Sequence, residues 1–236
     1  MTDPAPTPAQ PGPSLGAILL AGGRASRMGG VDKPRLVIAG VSMLDRAITA
    51  MRDVGAAPIV VAGPRSGSAA DSETAVPAAP AVPVDSAEPA ASILPCDVRW
   101  VREDPPFTGP AAAVVAALAA TAAGSAPEPE WTFVLACDLP RVDAAVRQLV
   151  DDILLLPSDT EGACLADEAG RPQWLTGVYR TSALRQAAAS LSHEGRDQSM
   201  RALFADVAIA SLADHSGGAH DIDTWEDFRR FTKEDA

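Results

Sequence analysis

A short apolar run that passes directly into a glycine-rich, basic loop is the feature that most limits how this chain folds. The run spans residues 15–20, and the loop at residues 20–33 holds four glycines, two arginines and one lysine. Such a run is typical of a strand buried on both faces. Glycines let backbone N–H groups approach a ligand, and cationic side chains attract negative charge. The combination predicts a nucleotide-phosphate loop at the end of a buried strand.

Two common phosphate-binding loops do not fit this spacing. The P-loop requires Gly, four residues and then Gly-Lys-Ser/Thr, whereas Lys33 lies between Asp32 and Pro34. The dinucleotide fingerprint requires Gly-x-Gly-x-x-Gly at the start of a helix, and the glycines at 22, 23, 29 and 30 are spaced differently. Composition by itself also suits an ordinary flexible loop, so the argument depends on the full pattern.

Strands and helices alternate along the rest of the chain. Apolar runs predict strands at 58–62, 98–102, 131–136, 163–166, 173–179 and 207–210, and helical periodicity predicts helices at 42–54, 110–123, 143–156, 181–191, 198–204 and 224–232. This order predicts an α/β fold: a three-layer, doubly wound, mostly parallel sheet of the Rossmann-like kind. Ligands of such sheets bind at the carboxyl ends of the strands, where the loops containing Gly22, Asp104 and Asp138 are expected.

The chain is long enough for one sizeable core. It has 236 residues, of which 47% are hydrophobic. Residues 14–233 are therefore predicted to form a single domain, preceded by a disordered, proline-rich tail at 1–13. Twenty of the 32 residues at 64–95 are Ala, Pro or Ser, which predicts a disordered insertion, either merely tolerated or regulatory and partner-binding.

Charge and cysteine content exclude several classes of function. The net charge of −12 argues against a nucleic-acid binder or a protein of acidic membranes, while four cations within residues 24–35 suit a small anionic ligand. The three cysteines form no C-x-x-C pair, which leaves no familiar zinc, redox or disulfide spacing. No stretch approaches the roughly 18 apolar residues of a membrane span. The protein is predicted to be cytoplasmic.

Carboxylates near two predicted element ends are the candidate metal ligands. Asp138 directly follows an apolar strand, where a carboxylate facing a nucleotide suits magnesium, although a turn or helix cap before Pro140 also explains it. Thr224, Glu226 and Asp227 make a good helix start without any function. Capping does not require the two aspartates just ahead of them, Asp221 and Asp223.

The loop pattern Leu-Ala-Gly-Gly-x-x-Ser-Arg-Met-Gly-x-x-Asp-Lys resembles the signature of the nucleotidyltransferases that include molybdenum cofactor guanylyltransferase. The segments around Asp104, Asp138 and Asp223 are also similar to segments of that family. The resemblance implies Lys33, Arg27 and Asp138 as catalytic residues and Asp138 with Asp223 as ligands of Mg²⁺. It implies a nucleotide-binding set of Leu20, Ala21, Gly22, Gly23, Lys33, Asp104, Gly109 and Asp138. Gly109 has an equally good explanation as the start of a helix.

By this resemblance the substrates are GTP and molybdopterin, joined with release of pyrophosphate. Gly22-Gly23, rather than Ala-Gly, favours the guanylyl over the cytidylyl branch. Transfer of CMP or another nucleotide to molybdopterin, a sugar phosphate or phospholactate is the alternative. A catalytically idle nucleotide-binding regulator is a further one. Molybdoenzymes or other cofactor-biosynthesis proteins are the protein partners that the resemblance suggests.

The sequence defines the binding site for the acceptor molecule less well than the nucleotide site. Relatives often carry His-Pro where this chain has Gln173-Trp174. Trp174 is explained either by stacking on a flat ring or by a place in the core. Residues 196–198 suit either an acceptor phosphate or an exposed loop.

Overall fold

The computed structural model describes residues 12–23, 28–65, 98–122 and 127–234. These residues form nine strands: β1 Leu15–Leu20, β2 Val37–Ile38, β3 Val41–Ser42, β4 Ile59–Ala62, β5 Val98–Val101, β6 Trp131–Ala136, β7 Gly162–Ala166, β8 Pro172–Arg180 and β9 Ile209–Ala213. Their α-helices are α1 Met43–Asp53, α2 Pro110–Ala122, α3 Val142–Ile153, α4 Thr181–Ser190, α5 Met200–Leu203 and α6 Trp225–Glu234. The predicted alternation of strands and helices is confirmed.

Seven strands form one sheet in the order β5–β4–β1–β6–β8–β7–β9. β1 pairs in parallel with β4 on one side and β6 on the other. The chain runs outward from β1 to β5 and then returns to β6, so the order reverses between β1 and β6. Such a reversal opens a crevice at the carboxyl ends of the strands. β8 pairs antiparallel with both β6 and β7, so the predicted mostly parallel sheet is confirmed with one reversed strand.

Helices cover both faces of the sheet, as the buried strands predict. All six residues of β1 are buried, and alternate side chains enter different clusters. Ala17 and Leu19 join the cluster beneath α1 and α3, whereas Ile18 and Leu20 join the one beneath α2 and α4. The period of two along a strand produces this division. The three-layer architecture is therefore confirmed.

A two-stranded hairpin, β2–β3, was not predicted. Its strands are two residues each, too short for a hydrophobic period, and its turn is Ala39-Gly40 with φ of 50° and 79°. Positive φ at both turn residues matches the twist of a tight hairpin. The hairpin leads into α1, whose cap was predicted: Ser42 Oγ accepts from Asp45 N at 3.1 Å. The hairpin and α6 share a small apolar cluster of Met28, Ile38, Met43, Ile222 and Phe231.

The limits of the last strand and of the domain compare differently with their predictions. The last strand was predicted at 207–210 and instead occupies 209–213, because it pairs with β7 in a register that aligns Ile209 with Gly162. The predicted tail and insertion lie almost wholly outside the described residues, so the domain division stays a prediction. Within the described ranges, no helix has the length and apolar character to cross a membrane.

Core packing makes a direct prediction for α3. Leu149 is fully buried against the sheet, whereas Leu155, just past the same helix, is 81% exposed. Leu149→Ala is expected to lower the free energy of unfolding by about 2–5 kcal/mol, because it leaves a cavity. Leu155→Ala, the matched control, is expected to change it by less than about 0.5 kcal/mol. Urea unfolding followed by circular dichroism measures both, and equal effects would contradict this packing.

Candidate active site

A cavity of about 530 Å³ opens at the carboxyl ends of the strands, at the predicted edge of the sheet. Its volume is in the range of small-molecule sites. Strand ends contribute Leu20, Ala62 and Ala136, and the loops beyond them contribute most of the remainder. The lining residues are Leu20, Gly22, Gly23, Lys33, Pro34, Ala62, Glu103, Phe107, Gly109, Pro110, Ala113, Ala136, Cys137, Asp138, Leu175 and Asp223.

Lys33 lies between two carboxylates in this cavity. Its Nζ donates to Asp138 Oδ2 at 3.1 Å and to Asp223 Oδ1 at 2.8 Å. The lysine begins a short 3₁₀ turn, Lys33–Arg35, with Pro34 as its second residue, and only 15% of its side chain is exposed. Proline fixes its own φ and is tolerated where a turn begins. Three predicted site residues from distant parts of the sequence, Lys33, Asp138 and Asp223, thus meet at one point.

The buried residue Ile222 brings Asp221 and Asp223 into the site. Ile222 is fully buried in the small cluster beneath the hairpin, and its N–H donates to the Asp138 carbonyl at 3.0 Å. This bond places the flanking aspartates, Asp221 and Asp223, beside Asp138. The predicted cap follows directly, since Asp227 N donates to Thr224 Oγ1 at 3.1 Å and Thr224 N donates to Asp227 Oδ2 at 3.0 Å. The cap fixes where α6 begins and thereby where Asp223 lies.

Burial and charge act in opposite directions on these groups. Burial raises the pKa of Asp138 above its ordinary value, although the Lys33 ammonium partly offsets it. Burial and the charges of Asp138 and Asp223 raise the pKa of Asp221. For Lys33, burial lowers the pKa, but its bonds to Asp223 and Asp138 outweigh burial and raise it. The lysine is therefore held in its cationic form beside these carboxyl groups.

The acidic groups suit a divalent cation. Carboxylate oxygens of Asp138, Asp221 and Asp223 lie within 4.8 Å of one another. Hard oxygen donors are the ligands that Mg²⁺ prefers, usually one or two carboxylates together with substrate phosphates. The donor set therefore fits magnesium, and it includes Asp221, which the sequence alone did not assign.

The other predicted site residues divide into four groups. Leu20, Gly22, Gly23 and Gly109 line the cavity, and Gly109 has a φ of 107°, which favours glycine. Ala21 is buried behind the lining, where its N–H donates to the Ala62 carbonyl at 2.9 Å. Asp104 is exposed and is not among the lining residues. Arg27 lies outside the described residues.

Several lining residues were not predicted. Glu103, next to Asp104, is among the lining residues, as are Phe107 and Leu175. Phe107 follows two prolines and precedes Thr-Gly. An aromatic residue in such a turn-rich segment is the sequence feature that could have identified it as a site residue. Trp174 is half-buried and packs on the cluster beneath α2 and α4, which favours its core explanation.

The sheet, the cavity at its reversal point and the lysine–carboxylate cluster define a nucleotide-handling α/β domain. Residues 17–210 match the family model described as the MobA-like NTP transferase domain. The chain therefore belongs to this family of nucleotidyltransferases. Membership confirms the resemblance that the glycine-rich loop predicted, whereas the nucleotide and the acceptor do not follow from it.

Individual proteins agree with this assignment. A probable molybdenum cofactor guanylyltransferase of Opitutus terrae is 33% identical over 132 residues, which are 56% of this chain and about half (52%) of that protein. A probable molybdenum cofactor guanylyltransferase of Synechococcus elongatus is 31% identical over 204 residues, 84% of this chain and 88% of that one. A solved nucleotidyl transferase from Methanothermobacter thermautotroptrophicus superposes with a TM-score of 0.61 at 21% identity, covering 94% and 97% of the two chains. This last likeness supports the fold.

The glycines of the first loop make a testable prediction. A Cβ atom added at Gly23 would meet no atom of the described residues within 4 Å, so packing among those residues does not require glycine there. Gly23→Ala is expected to leave the melting temperature nearly unchanged and to weaken nucleotide binding about ten-fold or more, because the methyl group lines the cavity. Thermal melts and isothermal titration with GTP measure the two effects.

Gly63→Ala provides the contrast. A Cβ there would lie 2.8 Å from the backbone carbon of Ala21, so this substitution is expected to lower the melting temperature. If Gly23→Ala lowered stability as much as Gly63→Ala does, the ligand explanation of Gly23 would be wrong.

Proposed function

We propose that this protein transfers GMP from GTP to molybdopterin, with Mg²⁺ and with release of pyrophosphate. The observation that carries the proposal is the placement of Lys33 between Asp138 and Asp223 in a cavity bordered by Gly22 and Gly23. The names of its relatives favour GTP and molybdopterin as the substrates. Molybdoenzymes or other cofactor-biosynthesis proteins, as recipients of the product, belong to the same proposal.

In the proposed reaction, a terminal phosphate oxygen of the acceptor attacks the α-phosphorus of GTP. A new phosphorus–oxygen bond forms, the bond from the α-phosphorus to the bridging oxygen breaks, and its electron pair leaves with pyrophosphate. The attacking oxygen is already anionic, so no side chain has to remove a proton. Catalysis then depends on positioning and on charge stabilisation.

The residues of the cavity supply both the positioning and the charge stabilisation. Backbone N–H groups at Gly22 and Gly23 hold phosphate oxygens, which glycine allows at close range. The Lys33 ammonium offsets the negative charge that grows on the transferred and leaving groups. Asp138 and Asp223, with Asp221 beside them, would hold the magnesium ion, which when bound polarises phosphoryl oxygens as a Lewis acid. Arg27 as a further phosphate contact stays a prediction.

A nucleotide panel tests the proposed substrates. Pyrophosphate release is measured with molybdopterin, Mg²⁺ and GTP, CTP or ATP side by side. Release with GTP is expected to exceed that with CTP or ATP by about ten-fold or more, and chelation of the metal is expected to abolish it. A preference for CTP would support the proposed transfer reaction and show that the nucleobase is cytosine instead of guanine. Nucleotide binding without any release would contradict transfer to molybdopterin and favour another acceptor or an idle regulator.

The chain contains two lysines, which provides a matched test of the charge. Lys33→Met is expected to lower the rate of pyrophosphate release about 10²–10³-fold, because the side chain keeps its length and loses the cation facing the transition state. Lys233→Met, on the exposed end of α6, is expected to leave the rate unchanged. Circular dichroism establishes that both variants fold. Near-full activity of a folded Lys33→Met would overturn the catalytic role of this lysine.

A further inference from the structure

Phe107 is an aromatic residue in an unusual place. It lies in the loop between β5 and α2, lines the cavity and is 50% exposed. Among the lining residues of the described chain it is the one aromatic side chain, in a sequence with only 4% aromatic residues. A large apolar ring that is half exposed within a ligand cavity offers a flat surface to a bound molecule.

The backbone at Phe107 is held in a costly conformation. Its φ is 67°, in the left-handed region that bulky side chains rarely adopt. Its N–H donates to Glu103 Oε1 at 2.9 Å, and the Arg102 guanidinium lies 5.2 Å from the ring centroid. Strain that the surrounding structure maintains is typical of functional positions. The bond from Phe107 N to Glu103 supports this backbone conformation.

The rest of the loop is braced as well. Thr108 Oγ1 donates to the Pro105 carbonyl at 3.0 Å, and Asp197 N donates to the Thr108 carbonyl at 2.7 Å. The second bond attaches the loop to the segment before α5. The ring is thus presented from a supported loop, which lowers the ordering cost of a ligand contact.

The sheet order places Phe107 and the acidic cluster on different sides of the cavity. Phe107 follows β5 and Asp138 follows β6, and β4 and β1 lie between those strands. Three strand spacings of about 4.8 Å separate the carboxyl ends of β5 and β6 by about 14 Å. Phe107, Lys33, Asp138 and Asp223 nevertheless line the same cavity, so one ligand can contact the ring and the cluster together.

We propose that Phe107 is the stacking surface for the nucleobase, placed by Glu103, and that it contributes to the selection of a purine over a pyrimidine. The inference rests on the proposed function, since it concerns the nucleotide of that reaction. Stacking strength grows with the area of the base, so a purine gains more from the ring than a pyrimidine does. Loss of the ring is then expected to weaken GTP binding more than CTP binding.

Equilibrium binding of GTP and CTP to the full-length protein with Mg²⁺, measured by titration calorimetry, tests the inference without requiring an acceptor. Phe107→Gly is the principal variant, because glycine adopts the same positive φ without strain and so removes only the ring. We expect GTP affinity to fall about ten-fold or more, CTP affinity to fall less, and Phe107→Tyr to bind as the wild type does. Unchanged GTP affinity in a folded Phe107→Gly would overturn the stacking role, and Phe107→Ala provides a second variant for this comparison.

Glu103 is tested by its conservative replacement. Glu103→Gln keeps an oxygen that accepts the Phe107 N–H, so its GTP affinity is expected within about two- to three-fold of wild type, whereas Glu103→Ala is expected to resemble Phe107→Gly. In turnover assays, Glu103→Ala and Phe107→Gly are both expected to raise KM for GTP and to leave kcat nearly unchanged. Equal losses in the Gln and Ala variants would overturn the positioning role. Tighter CTP than GTP binding by the wild type would contradict the proposed base, while Phe107→Gly still decides the stacking role.

Discussion

The ion pairs of Lys33 hold the site together across the whole chain. Lys33 is separated from Asp138 by 105 positions and from Asp223 by 190. The ammonium group offsets part of the mutual repulsion of three carboxylates whose oxygens lie within 4.8 Å of one another. Removing one partner of a poorly exposed pair leaves uncompensated charge, which is more costly than the pair itself is favourable. The lysine is therefore a structural counter-ion in the free protein and a phosphate-facing cation in the proposed reaction.

The topology explains why these groups converge. The chain places β4 and β5 on one side of β1 and returns to place β6 on the other, so the loops after β1 and β6 are neighbours. The reversed strand β8 contributes from the opposite direction, because Thr176 pairs with Leu135 and its preceding residue, Leu175, lies at the carboxyl end of β6. One edge of the sheet thereby receives residues from parallel and antiparallel strands, and Leu175 of β8 lines the cavity beside the residues from β1 and β6.

The sequence predicted those parts of the structure that depend on local pattern. Apolar runs identified β1 and β6, and residue types at their ends identified Lys33 and Asp138. Contacts that depend on long-range packing were not predictable in the same way. The hairpin β2–β3 has no period to detect, and the bond from Ile222 N to the Asp138 carbonyl has no sequence signal. The same limit applies between Glu103 and Asp104, because adjacent carboxylates in an irregular loop do not reveal which one faces the cavity.

Glycines in this protein serve two physical purposes, and the difference bears on function. At Gly162 a Cβ atom would lie 2.4 Å from the Tyr179 ring, and at Gly177 one would lie 2.5 Å from the Tyr179 hydroxyl. Those glycines make room for the buried tyrosine, whose hydroxyl donates to the Trp174 carbonyl at 2.7 Å. At Gly23 no atom of the described residues occupies the corresponding space, and at Gly22 the nearest such atom, the Ala62 carbonyl oxygen, is an ordinary 3.9 Å away. Glycine that internal packing does not require, on the wall of a cavity, keeps space for a ligand that approaches the backbone closely.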